Sequence, residues 1–226
     1  MARAKLTAVL DALELVYGKV KFLPKEPLLD QAIFLVFREG WDYKKAARAL
    51  RILQSEFVDW NEARVSTVGE ICNLLGFGSD RNFAEKSQRV LSLLDKIYRE
   101  RSVVTLDHVL EMDPEARRQY LASLEVLSPA DVQLLLQLHA PPGELLMTYQ
   151  ALRVGSRIGL IPKTTSIPLG TRHYAAILPE SDWPRLQVLM VQHGDAVCQS
   201  RHFRCEACRL TEHCKSARVV KEEKAE

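Results

Sequence analysis

Four of the five cysteines in this chain fall in one short stretch, Cys198 to Cys214, which reads CQSRHFRCEACRLTEHC and follows the pattern C-x6-C-x2-C-x5-C. Thiolates gathered this closely can close a tetrahedral cage around zinc or hold a [4Fe–4S] cluster. Zinc ribbons usually pair two C-x2-C knuckles across a longer insert. Here a single knuckle, Cys205 and Cys208, is flanked by the lone Cys198 and Cys214, which suits a cubane held by one compact loop. The spacing ranks the cluster ahead of zinc, with a disulfide pair lower still. Arg201, His202, Arg204 and Arg209 stand between and beside these cysteines. Such cations can meet a phosphate backbone, and can equally lie solvated around a polar loop. The fifth cysteine, Cys72, reads as a small buried hydrophobe.

Composition sets few limits. Of 226 residues, 31 are Lys or Arg and 29 are Asp or Glu, so a net charge of +2 does not announce a nucleic-acid partner and any positive patch must be local. The first residues, MARAKLTAVLDALELVYGK, place Asp11 and Glu14 on a helical period and lack a small-residue cleavage site, which argues against a signal peptide. No apolar run approaches the length of a membrane span. These features predict a soluble, cytoplasmic monomer with no membrane partner.

The elements that must position the cysteines are helical, because apolar residues recur at helical period and strand-like alternation is hard to find. The pattern predicts helices over 3–18, from about Leu28, over 42–58 with Asp42 as cap, and over 66–75, 80–99, 105–112 and 114–122. In the second helix Leu29, Ala32, Ile33, Val36 and Phe37 form one apolar stripe, and in the third Lys44, Lys45, Arg48 and Arg51 face solvent. Gly76 to Asp80 marks a tight connection. Ser128-Pro129-Ala130-Asp131 is a helix start, with serine as cap and a carboxylate in the first turn. A further helix spans 143–158, a loop covers 161–171, and Ser181 opens the last long helix, with Trp183, Leu186, Leu189 and Met190 buried. The charged tail, 217–226, is expected to be disordered.

The cysteine spacing, together with VQHGDAVC leading into it and LRVGSRIGL at 152–160, resembles the iron–sulfur loop region of endonuclease III and its helix-hairpin-helix DNA glycosylase relatives. From about 28 to 216 the order of helices and loops looks like that family. The resemblance implies an all-α, two-lobed helix-hairpin-helix glycosylase fold with a [4Fe–4S] cluster loop. Residues 1–27 and 163–216 would form the cluster lobe, and 28–162 a barrel-like helical lobe with a degenerate hairpin. It also implies a [4Fe–4S] cofactor on Cys198, Cys205, Cys208 and Cys214, and contacts to double-stranded DNA, damaged or not, from Arg201, His202, Arg204 and Arg209. Arg153 and Arg157 would support the cluster sulfurs or a helix end.

The same alignment exposes departures. The family's hairpin motif LPGVG is replaced by Leu124-Glu125-Val126-Leu127-Ser128, without the glycines that let backbone amides approach a phosphate. Ala130 stands where the family's Schiff-base lysine is expected and Thr148 where its aspartate is expected, and no lysine occurs from Ile97 to Pro162. Neither replacement can attack a sugar carbon or carry the stabilising charge. Asp131 is explained by helix capping. The wedge glutamine is replaced near Arg38-Glu39, where a carboxylate would repel DNA. No catalytic residue is therefore assigned. The favoured function is an endonuclease III-like iron–sulfur protein of base-excision repair that binds DNA, or a protein partner, without the usual lysine and aspartate chemistry. The alternatives are an active glycosylase or AP lyase using non-equivalent residues, and a structural iron–sulfur protein that does not bind DNA.

Overall fold

A computed structural model describes residues 2–23, 26–41, 43–76, 81–201 and 203–217, with the backbone alone at Arg81. Asp42, most of the connection at 76–80, His202 and the tail from 218 onward therefore lie outside the described residues.

The described residues form eleven α-helices and no strand, as the periodicity predicts. In chain order they are α1 (Ala2–Tyr17), α2 (Leu28–Arg38), α3 (Tyr43–Glu56), α4 (Trp60–Arg64), α5 (Val68–Leu75), α6 (Arg81–Arg101), α7 (Pro114–Ser123), α8 (Pro129–Leu138), α9 (Tyr149–Ile158), α10 (Ile167–Ile177) and α11 (Trp183–Ala196). Short 3-10 turns lie at Asp107–Glu111, Glu180–Asp182 and Cys205–Ala207. No helix among the described residues is long and apolar enough to cross a membrane.

Internal packing divides the chain into one unit of Met1–Val20 with Pro129–Glu226, and a second of Lys21–Ser128. Residues 129–162 group with the cysteine-bearing segment, because α8 packs on α11. The family resemblance implies their grouping with 28–128 instead.

In the first unit α11 is the central element, packed by α8, α9 and α1. Trp183, Leu186, Leu189 and Met190 are buried, and α1 adds Leu6, Val9, Leu10 and Leu13 at helical spacing. Arg185 clamps α1 to α11 through Asp11 at 2.6 Å and Glu14 at 2.9 Å. Close approach of α9 and α10 depends on Gly155, since a Cβ there would lie 2.0 Å from the Tyr174 hydroxyl. That hydroxyl is wholly buried and donates to the Ala151 carbonyl at 3.0 Å.

The second unit is built on α2, which is buried on every side from Leu28 to Phe37 rather than along one stripe. The buried polar side chains of α2 find partners inside, except that Gln31 Oε1 has none among the described residues. Asp30 accepts from Trp60 Nε1 at 2.6 Å and from Gln54 Nε2 at 3.0 Å. Buried Lys86 donates to the Val36 carbonyl at 3.1 Å. Phe83, Val90, Leu94 and Ile97 of α6 are buried as the spacing predicts. Lys44, Arg48 and Arg51 face solvent, whereas Lys45 is half-buried over the Trp41 ring at 3.9 Å. Cys72 is likewise only half-buried.

Three local differences have clear causes. The expected helix at 66–75 starts at Val68 behind a Thr67–Glu70 capping box, and α4 precedes it behind the Asp59 cap. The helix expected from 143 begins only at Tyr149, because Thr148 caps it and the chain before it pairs with glutamines of α8. The expected loop at 161–171 gives way to α10, since Pro168 lies in the first turn behind the Ser166 cap, where proline favours a helix.

Candidate functional site

The cysteine loop starts where α11 runs out. The His193 carbonyl accepts from both the Val197 and Cys198 amides, at 3.0 and 2.8 Å, which turns the chain out of the helix. Cys205 and Cys208 sit on and after the last 3-10 turn, and the fully buried Leu210 pins the loop to the core before Cys214. All four cysteines pack on or within the first unit's apolar core. They line one open-mouthed cavity together with Arg157, Ile158, His193 and Phe203.

Among the described residues no group of three or more His, Cys, Asp or Glu side chains stands as a metal-ion site. A tetrahedral zinc cage brings its sulfurs to within about 4 Å of one another. A cubane binds each thiolate through a different iron and spaces them more widely. Four thiols on one apolar-walled cavity, with N–H groups aimed at two of the sulfurs, are the donor set that such a cluster would need. Burial pushes the Cys205 and Cys208 thiols upward, and neighbouring cysteines add to the shift. Collecting them as thiolates thus requires compensating positive charge.

Arg157, at the end of α9, spans the first turn of the loop. Nη1 donates to the Cys198 carbonyl at 3.2 Å, to Cys198 Sγ at 3.3 Å and to the Gln199 carbonyl at 2.6 Å, while Nη2 reaches the Ser200 carbonyl at 3.0 Å. Its guanidinium also lies 4.8 Å from the centre of the Phe203 ring. Arg153, one turn earlier, donates to the Cys198 and Gly194 carbonyls at 2.9 and 3.0 Å. Arg157 thus supports the loop, and Arg153 both the loop and the C-terminal end of α11. His193 is buried beside them, and burial pushes its pKa down to about 4, so the ring is neutral.

The residues proposed to touch DNA divide. Arg201 and Arg209 are exposed and make no hydrogen bond or ion pair to a described residue. Arg204 is exposed, but its guanidinium donates to the Ala196 carbonyl and its amide to the Val197 carbonyl at 3.0 Å, so part of its capacity goes to the helix end. His202 lies outside the described residues.

The positions matched to catalytic residues hold structural roles. Ala130 is buried in α8. Thr148 is buried too, and its hydroxyl accepts from the Ala151 amide at 3.2 Å and meets Gln187 Oε1 at 3.4 Å. Gln133 Nε2 donates to the Leu146 carbonyl at 2.7 Å. Gln137 pairs with both the Glu144 carbonyl and the Leu146 amide, at 3.0 and 2.9 Å. Sequence reasoning passed over these glutamines, although two amides four residues apart on an apolar helix are themselves a signal. Asp131 lies in the first turn of α8, as its capping role predicts.

In the second unit one side chain joins Glu39 to the segment 124–128, the two places that the resemblance would assign to the wedge and the hairpin. Arg89 donates to the Val126 carbonyl at 2.7 Å and pairs closely with Glu39. The Arg89 hydrogen bond holds the Glu39 carboxyl below its ordinary range. Glu125, in the hairpin loop, keeps a left-handed backbone with φ of 61°, a conformation that favours glycine.

The described residues thus define an all-helical protein with a cysteine-lined C-terminal loop. No protein-family model matches the chain. Part of its sequence is 33% identical to Endonuclease III of Synechocystis sp. over 67 residues, 30% of this chain and 30% of that protein. It is 28% identical to an Endonuclease III homolog of Encephalitozoon cuniculi over 65 residues, 29% of this chain and 27% of that protein. The chain is endonuclease III-like over these segments, which span less than a third of the relatives' length. Among solved structures it aligns with a non-covalent Endonuclease III–DNA complex (TM-score 0.48, 12% identity, 97% of this chain and 98% of that one). It also aligns with a trapped Endonuclease III–DNA covalent intermediate (TM-score 0.46, 15% identity, 97% of this chain and 98% of that one).

Proposed function

We propose that this chain is an endonuclease III-like iron–sulfur protein of base-excision repair that binds duplex DNA as a monomer without the lysine and aspartate chemistry of the family. The observation that carries the reading is the convergence of Cys198, Cys205, Cys208 and Cys214 on one cavity, with Arg157 holding the first turn of their loop. These four thiolates would hold a [4Fe–4S] cluster. When bound, the cluster cross-links four chain positions and so rigidifies a loop of little intrinsic stability.

The loop's own residues do the rest. Arg153 and Arg157 bind its carbonyls and hold its shape, while Arg201 and Arg209 present positive charge to solvent. Exposed arginines on a rigid loop bind phosphate oxygens without sequence preference, releasing counterions as they do so. Chemistry is another matter. Ala130 offers no nucleophile, and the buried Thr148 hydroxyl is engaged with Ala151 and Gln187.

The test combines two assays on purified holo-protein. Electrophoretic shift with duplexes carrying thymine glycol or an abasic site should show salt-dependent binding, and borohydride should trap no covalent adduct. A trapped imine would replace this reading with that of an active lyase using other residues. Absence of binding at low salt would leave a structural iron–sulfur protein.

A further inference from the structure

His193 lies where three parts of the first unit meet. The residue is 3% exposed, near the C-terminal end of α11. Nδ1 stands 3.1 Å from the hydroxyl of Tyr17, the last residue of α1, and the two rings meet edge to face at 6.1 Å. On the other side Nε2 stands 3.6 Å from Cys208 Sγ. That sulfur also accepts the Leu210 amide at 3.3 Å.

A neutral imidazole donates from one nitrogen and accepts at the other, so the two contacts are coupled. While Cys208 is a thiol, either tautomer can satisfy both neighbours. Once its sulfur is a metal-bound thiolate it has no proton to give, and only an Nε2–H can bond to it. Nδ1 must then accept, and the Tyr17 hydroxyl is placed to donate to it.

We propose that Tyr17 and His193 are a positioning pair for the cofactor, in which Tyr17 fixes the His193 tautomer and His193 donates Nε2–H to Cys208 Sγ, raising the cluster's reduction potential. The inference rests on the reading that the four cysteines hold a [4Fe–4S] cluster. Its physical basis is that reduction adds negative charge to the cluster and its thiolates. A hydrogen bond to sulfur therefore stabilises the reduced state more than the oxidised one. The arrangement also gives α1 a direct part in the cofactor's electronics, through a residue 176 positions away in sequence from His193.

The experiment compares wild type with Tyr17→Phe, His193→Gln and His193→Leu, all purified anaerobically. Iron and sulfide are assayed first, and the one-electron potential is then read by spectroelectrochemical titration. At a fixed potential His193→Leu should lower the ratio of reduced to oxidised cluster about tenfold, a shift of about 59 mV. Tyr17→Phe should move it in the same direction by less, because the ring then loses its tautomer preference. His193→Gln should recover most of the wild-type value, since its amide can still donate to the sulfur. Variants with wild-type iron content and an unchanged potential would overturn the inference. Should His193→Leu fail to fold, Tyr17→Phe decides it, because that change removes one hydroxyl and nothing else. A wild type without iron would overturn the cysteine reading and the inference together, and the iron assay reveals this before any potential is measured.

Discussion

Arg157 donates to Cys198 twice, at the carbonyl oxygen 3.2 Å away and at the sulfur 3.3 Å away. The same guanidinium continues to Gln199 and Ser200, so one planar fork fixes three consecutive residues of the cysteine loop. A lysine keeps the charge but cannot span these acceptors. Arg157→Lys should destabilise the protein by about 1–3 kcal/mol in denaturant unfolding. It should also speed loss of iron to a chelator several-fold. An unchanged unfolding midpoint and unchanged iron loss would show that the fork is dispensable.

Two residues before that arginine, α9 packs closely on α10. A Cβ at Gly155 would lie 2.0 Å from Tyr174 Oη and 2.9 Å from Cζ, both deep in the core. Gly155→Ala should cost about 1–3 kcal/mol through overpacking. Combining it with Tyr174→Phe should recover part of that loss, because the closest atom is then gone. Urea midpoints of the two single variants and the double variant check this, and strictly additive losses would count against the clash.

In the second unit, burial raises the Asp30 carboxyl above its ordinary value, against the lowering effect of its bonds from Trp60 and Gln54. With the folded pKa above the unfolded one, the native state binds more protons between the two values, so stability falls as pH rises through them. The stabilising contribution is complete below the ordinary carboxylate value, about pH 4, and is lost as pH rises through the folded value. Asp30→Asn removes this titration. The stability of wild type relative to Asp30→Asn should therefore decline as pH rises above about 4. A gap that stays constant or widens in favour of wild type would contradict the assignment.

On the proposed reading the exposed arginines would make separable contributions to DNA affinity. Arg201→Ala and Arg209→Ala should each weaken binding across all duplex sequences and reduce the slope of log affinity against log salt by about one. Arg204→Ala should act chiefly on stability, because its guanidinium is bound to the Ala196 carbonyl. Equal salt slopes for wild type and all three variants would remove the loop from the DNA interface.

Much of this was legible in the sequence because it is local. Cys198 to Cys214 declares a four-thiol loop by spacing alone, and the periodicity of α6 and α11 places their buried residues correctly. What could not be read is non-local. Tyr17 meets His193 across 176 residues, and Arg89 joins Glu39 to Val126, 50 residues from one and 37 from the other. The start of α9 was misplaced because no propensity reveals that Gln133 and Gln137 hold the chain extended just before it. The α10 helix was hidden by Pro168 and Gly170, which punctuate loops elsewhere but here occupy a first helical turn and a close helix contact with Leu152.

The central claim is that the four converging cysteines hold an iron–sulfur cubane, and metal analysis of anaerobically purified full-length protein tests it most directly. The account predicts about four irons and about four sulfides per chain, with a broad charge-transfer absorbance near 400 nm that is lost on Cys205→Ser or Cys208→Ser. A colourless protein carrying one zinc per chain would contradict it.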